Sequence, residues 1–321
     1  MANNPRRRTT TVATALLAGS AVAAGALLAR RRTDKPRAVI PSLELTPSHR
    51  AGAGTPLLLL HGVGSIWRAW SPVVPYLEPH HDVFAPTLAG HGGGPTLDTD
   101  VAPSVEALAD ALEDELDKLG LAKVHIAGNS LGGWVGMELA RRGRACSLVL
   151  FSPAGAWRSQ RGIELRANAI RISVGALGRY ASRADAIAAN AVLRWPLLAG
   201  QVAYPSRVPP EDLAAFIRAG GAAPVVVPLL RQLPIRQVDP LPDVRDYPVR
   251  LVWGSRDRVI PFDGFGSAML ERIPGAELIH LQDVGHVPMS DDPARVAELI
   301  LEVTADVDRA AVSTERVDRD A

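Results

Sequence analysis

Lys123-Val124-His125-Ile126-Ala127-Gly128-Asn129-Ser130-Leu131-Gly132-Gly133 is the stretch on which the fold turns. Lys123 to Ala127 reads as a short strand, and the residues from Leu131 to Arg142 read as a helix. Between them, Gly128-Asn129-Ser130-Leu131-Gly132 matches G-x-S-x-G, a sharp strand-to-helix turn that lifts a serine clear of a sheet. A Cβ two residues before or after that serine would collide across so tight a turn, so both positions call for glycine.

On either side of this turn, short apolar runs alternate with helical stretches. Pro56 to Leu60, His81 to Ala85, Ser147 to Phe151, Val249 to Trp253 and Ala276 to Leu281 are the other strand candidates. Val105, Leu108, Leu112, Leu116 and Leu119 share one face of a helix over Ser104 to Leu119, with Gly120 where it should stop. The stretches Gly264 to Ile273 and Pro293 to Val303 are further helix candidates. The alternation predicts an α/β fold with a mostly parallel sheet and helices on both faces.

Residues 156–240 break the rhythm. Seven prolines from Pro196 to Pro234 divide them into short helices, an insertion placed to roof the carboxyl ends of the strands as a helical cap. The cap holds eleven arginines, no lysine and five acidic residues, a net charge of +6 that suits an acidic ligand or an anionic membrane surface. Its aromatics Trp157, Trp195, Tyr204 and Phe216 are candidates for the pocket wall, although packing the insertion itself is their commoner role.

The whole chain carries a net charge of only +1, which gives no reason to expect nucleic acid as a partner. Cys146 is the single cysteine, so no intramolecular disulfide can form. With 47% hydrophobic residues in 321, one sizeable core is expected. It comprises residues 37–155 and 241–305, leaving a leader at 1–36 and a charged tail at 306–321 that reads as disordered. In the leader, Arg6-Arg7-Arg8 and Arg30-Arg31-Arg32 bracket an uncharged run of 21 residues, Thr9 to Ala29. As a helix it would reach about 31 Å, the thickness of a bilayer's hydrocarbon core, which suggests a membrane anchor through residues 9–29. Arg30 to Arg32 with Lys35 and Arg37 then favour a catalytic domain on the cytoplasmic side. The alternatives are export after cleavage at Ala21-Val22-Ala23 or Ala24-Gly25-Ala26, or a soluble cytoplasmic protein.

A serine hydroxyl needs a base to take its proton and an acid to orient that base. Asp257 lies in Gly254-Ser255-Arg256-Asp257, directly after one strand, and His286 in Gly285-His286, after the next. Ser130, Asp257, His286 is the chain order this elbow demands. Asp263 and Asp283 are weaker candidates for the acid, since neither follows a strand directly. An oxyanion needs two backbone donors: Leu131 N–H opens the helix after Ser130, and Val63 N–H lies in His61-Gly62-Val63-Gly64 after the Pro56 to Leu60 strand. His61 reads as a structural loop residue.

Taken in order, Leu60-His61-Gly62, Gly90-His91-Gly92, Gly128-Asn129-Ser130-Leu131-Gly132-Gly133, Trp253-Gly254-Ser255-Arg256-Asp257 with Pro261, and Gly285-His286-Val287-Pro288 resemble the α/β-hydrolase superfamily over residues 37–305. The resemblance is to its capped lipase- and esterase-like or carbon–carbon-bond-hydrolase-like members. It implies a triad of Ser130, Asp257 and His286, an oxyanion hole of Val63 and Leu131, a helical cap after the sixth strand, and no metal or organic cofactor. Two departures stand out. Thr87-Leu88-Ala89-Gly90-His91-Gly92 lacks the family's usual aspartate and proline, and Arg37 to Thr55 is short for two opening strands. Relatives that dehalogenate or open epoxides by covalent catalysis carry aspartate at the elbow, and Ser130 argues against both. The expected activity is hydrolysis of a small ester-like substrate. Carbon–carbon-bond hydrolysis, acyl transfer and a non-catalytic binding module are the alternatives.

Overall fold

The computed structural model describes residues 45–98 and 100–320. The expected anchor or signal at 1–36 lies outside the described residues. Seven strands form one sheet: β1 Ser48–Ala51, β2 Thr55–Leu60, β3 His81–Pro86, β4 Val124–Asn129, β5 Ala145–Phe151, β6 Val249–Gly254 and β7 Glu277–Leu281. Their spatial order is β1-β3-β2-β4-β5-β6-β7, and every neighbouring pair is parallel except β1 with β3. Helices of five residues or more are α1 Val105–Lys118, α2 Leu131–Arg141, the cap helices α3 Gln160–Tyr180, α4 Ala184–Ala188, α5 Ala191–Leu198, α6 Pro210–Gly221 and α7 Val226–Gln232, then α8 Gly266–Leu270 and α9 Pro293–Asp320.

Strand alternation sorts the core into two layers. Leu58 and Leu60 point to the face covered by α1 and α2, where Leu108, Leu112 and Val135 are buried. Leu57 and Leu59 point to the other face, against Val296, Leu299 and Ile300 of α9. Each such side chain contributes about 1.5–3 kcal/mol on full burial. Helix α1 starts where its sequence directs: Ser104 Oγ accepts the Ala107 N–H at 3.1 Å, and Gly120 takes a φ of 71° just beyond its end.

The inserted segment forms a helical layer with its own core of Leu177, Leu198, Leu213 and Ile217. Its seat on the sheet domain explains the Gly90-His91-Gly92 motif. A Cβ at Gly90 would stand 2.6 Å from Val225 Cβ, and one at Gly92 2.9 Å from Ala219 Cα, so the cap can settle only on glycines. The insertion leaves the sheet after β5, not after a sixth strand. That ordinal counted two opening strands, whereas the described residues form one, β1.

The disordered tail expected from Asp306 is also corrected, because α9 runs on to Asp320. The apolar stripe of α9 ends near Val303, but Asp308 one turn later continues the docking with polar bonds. Its Oδ2 accepts from Thr55 Oγ1 at 2.8 Å and its Oδ1 lies 3.1 Å from His125 Nε2. His125 Nδ1 in turn meets Ser147 Oγ at 2.8 Å, and His81 Nε2 meets Thr304 Oγ1 at 2.8 Å. This network occupies the amino ends of β2, β3, β4 and β5. Burial pushes both histidines below their ordinary pKa, with hydrogen bonding to Asp308 opposing the shift at His125.

Candidate active site

At the carboxyl ends of the same strands the chain builds something different. Ser130, between β4 and α2, has φ 55° and ψ −116°, a conformation an L-residue holds only under constraint. The constraint is visible at its flanking glycines. A Cβ at Gly128 would come within 2.5 Å of Gly132 O, and one at Gly132 within 2.3 Å of Leu60 O.

His286, in the loop after β7, places Nδ1 2.8 Å from Asp257 Oδ2. The other carboxylate oxygen of Asp257 accepts the N–H groups of Val259 and Ile260, both at 2.9 Å. Both Asp257 and His286 are buried. Asp283 pairs with Arg256 at the surface and Asp263 lies exposed in a 3-10 turn, so neither competes for His286.

Ser130, His286 and Val63 line one cavity of about 410 Å³ beneath the cap. Val63 N–H meets no acceptor among the described residues, and Leu131 N–H is the first of α2, a position with no intrahelical acceptor. Of the four cap aromatics, Phe216 lines the cavity. Trp157 packs into the main core and Trp195 is 62% exposed, while Tyr204 stacks under Arg207.

His61 is a brace. Its Nε2 accepts the Leu88 N–H at 2.9 Å and its Nδ1 reaches Gly62 O at 2.8 Å, so it ties the loop of Val63 to the next loop. Burial, helped by neighbouring His91, lowers its pKa to about 3, and it stays neutral.

Two positioning residues escape the sequence reading. Asn129, a free position of the elbow motif, donates Nδ2 to His286 O at 2.9 Å and to Phe151 O at 3.0 Å, fastening the His286 loop to the elbow. Asp291, buried below the His286 loop, accepts from Gly285 N at 2.8 Å and from the cap residues Ala203 N and Tyr204 N at 2.8 and 2.9 Å. Val287 N also donates to Gln201 O at 2.9 Å. No local signal marks either residue: Asn129 meets Phe151 and His286, and Asp291 meets cap residues more than eighty positions away besides nearby Gly285.

Among the described residues no group of three His, Cys, Asp or Glu side chains could hold a metal ion. The model of the alpha/beta hydrolase family matches residues 57–299, spanning the sheet, the elbow, the cap and the loops of Asp257 and His286. The chain belongs to that family. An epoxide hydrolase of Mycobacterium tuberculosis is 35% identical over 208 residues, 61% of this chain and 93% of the relative. The pimeloyl-[acyl-carrier protein] methyl ester esterase of Aromatoleum aromaticum is 30% identical over 273 residues, 77% of this α/β-hydrolase and 97% of that enzyme. Among solved structures, a thermophilic esterase from Thermogutta terrifontis superposes with a TM-score of 0.63 at 24% identity, covering 81% of this chain and 93% of that one, a likeness of fold.

Proposed function

We propose that this α/β-hydrolase is a serine hydrolase that cleaves a small ester-like substrate through an acyl-enzyme. The observation that carries the reading is Ser130, held at a φ of 55° on the wall of a cavity it shares with His286. With Nδ1 committed to Asp257, Nε2 is the nitrogen left to take the Ser130 proton. Ser130 Oγ then attacks the carbonyl carbon, Val63 and Leu131 N–H groups receive the oxyanion, and the protonated His286 returns the proton to the leaving alcohol. Water, deprotonated by His286, releases the acid and restores Ser130.

The ester-cleaving relative supports this reading; the epoxide-opening relative invites a different one, which bond chemistry disfavours. A carboxylate that opens an epoxide leaves an ester that water can cleave, whereas Ser130 would leave an ether with no carbonyl to attack. Carbon–carbon-bond hydrolysis and acyl transfer would use the same serine and differ in the substrate or acceptor admitted by the cap.

Labelling by a fluorophosphonate probe tests the proposal. The wild type is expected to react, and Ser130→Ala and His286→Ala to abolish the reaction. A folded wild type that stays unlabelled beside a reactive control hydrolase would overturn it in favour of a binding module.

A further inference from the structure

The charged side chains on the cavity wall are unequally matched. Arg68, Arg166 and Arg258 line it beside a single carboxylate, Asp212. Arg68 meets that carboxylate at 3.4 Å. Arg166 and Arg258 meet none: among the described residues neither guanidinium forms an ion pair, although cap arginines such as Arg158 and Arg218 do. Arg166, on α3, spends Nη1 on the carbonyls of Arg258 and Val259 at 2.9 and 2.5 Å, while its Nε and Nη2 have no hydrogen-bond partner among the described residues. Those carbonyls belong to the residues directly after Asp257, so the Arg166 guanidinium sits where the cap meets the Asp257 loop, and Arg258, exposed on that loop, lines the same cavity.

Arg166 is half-buried. Burial lowers its pKa from the ordinary arginine value, the charge of Asp257 pushing back, and a guanidinium in a protein is a cation. The oxygens of Asp257 are already engaged by His286, Val259 and Ile260. The guanidinium lies over the Phe265 ring and shares the charge of Asp257 with His286, which leaves its open edge to a ligand's anion. Further along α3, Ile170, Val174 and Leu177 continue the lining at helical spacing, so one helix offers charge at one end and hydrocarbon along the rest.

We propose that Arg166 and Arg258 form an anion-binding end of the cavity, selecting substrates that carry a free carboxylate and an apolar portion besides the scissile ester-like carbonyl. The inference rests on the serine-hydrolase reading above. The planar fork left open by Arg166 suits the two oxygens of a carboxylate.

Mono-4-nitrophenyl glutarate and its methyl-capped neutral counterpart test it as a pair. In the wild type, kcat/KM for the free acid should exceed that for the capped ester at least tenfold, and added salt should narrow the gap. Arg166→Gln and Arg258→Gln should each cut that ratio about fivefold, mainly through KM for the acid, with Arg166→Lys retaining part of it. A merely structural loss at Arg166 would slow both esters alike and leave the ratio where it was. A wild-type ratio near one, or a ratio unchanged in the double Gln variant, overturns the anion site while the hydrolase reading stands. If the wild type neither hydrolyses these esters nor reacts with fluorophosphonate, the hydrolase reading fails by itself. Calorimetry with monomethyl glutarate then decides the site: binding that the double variant loses supports it, and no binding to the wild type overturns it.

Discussion

Among the described residues, serine, histidine and aspartate gather at both ends of the sheet. At the amino ends Ser147, His125 and Asp308 are joined at 2.8 and 3.1 Å, and Ser147 and His125 are sealed from solvent. At the carboxyl ends Ser130 and His286 face a cavity, and Asp257 holds the histidine. The residue types match, but their settings do not. Ser147 sits inside strand β5, fully buried beside a register shift against β4, with no glycine-flanked turn around it. Ser130 stands on a constrained turn, beside free N–H groups and under a cap. On the proposed reading, the contrast teaches that composition and hydrogen bonding alone do not make a nucleophile; access, backbone conformation and N–H groups free to receive an oxyanion would.

The sharpest way to break that contrast is to remove each serine. Ser130→Ala should lower kcat by roughly 10⁶, the scale at which removing a triad nucleophile leaves only binding and the oxyanion hole. Ser147→Ala should leave ester turnover per folded molecule intact; equal losses in the two variants would dissolve the distinction. Next in size is Asp257→Asn. The amide would point its NH₂ at His286 Nδ1, forcing the tautomer whose Nε2 carries a hydrogen, and a fall of roughly 10⁴ in kcat is expected in steady-state assays.

Acid should act on stability through the histidines at both ends. His61 and His91 have pKa values lowered to about 3 and about 4, chiefly by burial, and His81 and His125 are lowered too. Because the unfolded chain takes up these protons first, stability is full above about pH 6.5 and declines as pH falls towards the folded values. His61 alone should cost roughly 3 kcal/mol by pH 4. Urea unfolding at pH 7.5, 6 and 5 reads this directly, and an unchanged stability across the series contradicts it.

Asp291→Ala should do less to folding but more to geometry. Losing an acceptor shared by Gly285, Ala203 and Tyr204 should cost about 2–3 kcal/mol and slow ester turnover some tenfold as the base loop drifts, given buried charged hydrogen bonds of this kind. Thermal melts and kcat together measure it; a destabilised variant with wild-type kcat would make Asp291 a cap anchor alone. Smallest is Asp308→Ala, expected to cost about 1–2 kcal/mol by stranding Thr55 and His125, with catalysis unaffected. Its readout is a thermal melt beside an ester assay, and a fall in kcat here would tie the sealed network to the chemistry at the other end.

What was legible in the sequence is what short-range rules govern. Strand and helix periods and the Gly128 to Gly132 turn depend on residues a few positions apart, the order Ser130, Asp257, His286 follows from where each strand ends, and the sheet forms where the strand periods put it. The tertiary structure alone decided the rest. Asn129 meets the carbonyl of His286, Asp291 meets cap residues, Arg166 meets the acid loop, and Asp308 meets Thr55 across 253 positions of sequence. A buried polar group takes whichever partner folding brings within about 3 Å, and no local pattern records that choice. The helical course beyond Asp306 has no local signal either: the composition there is that of a solvated segment, and Asp308 ties the helix to Thr55.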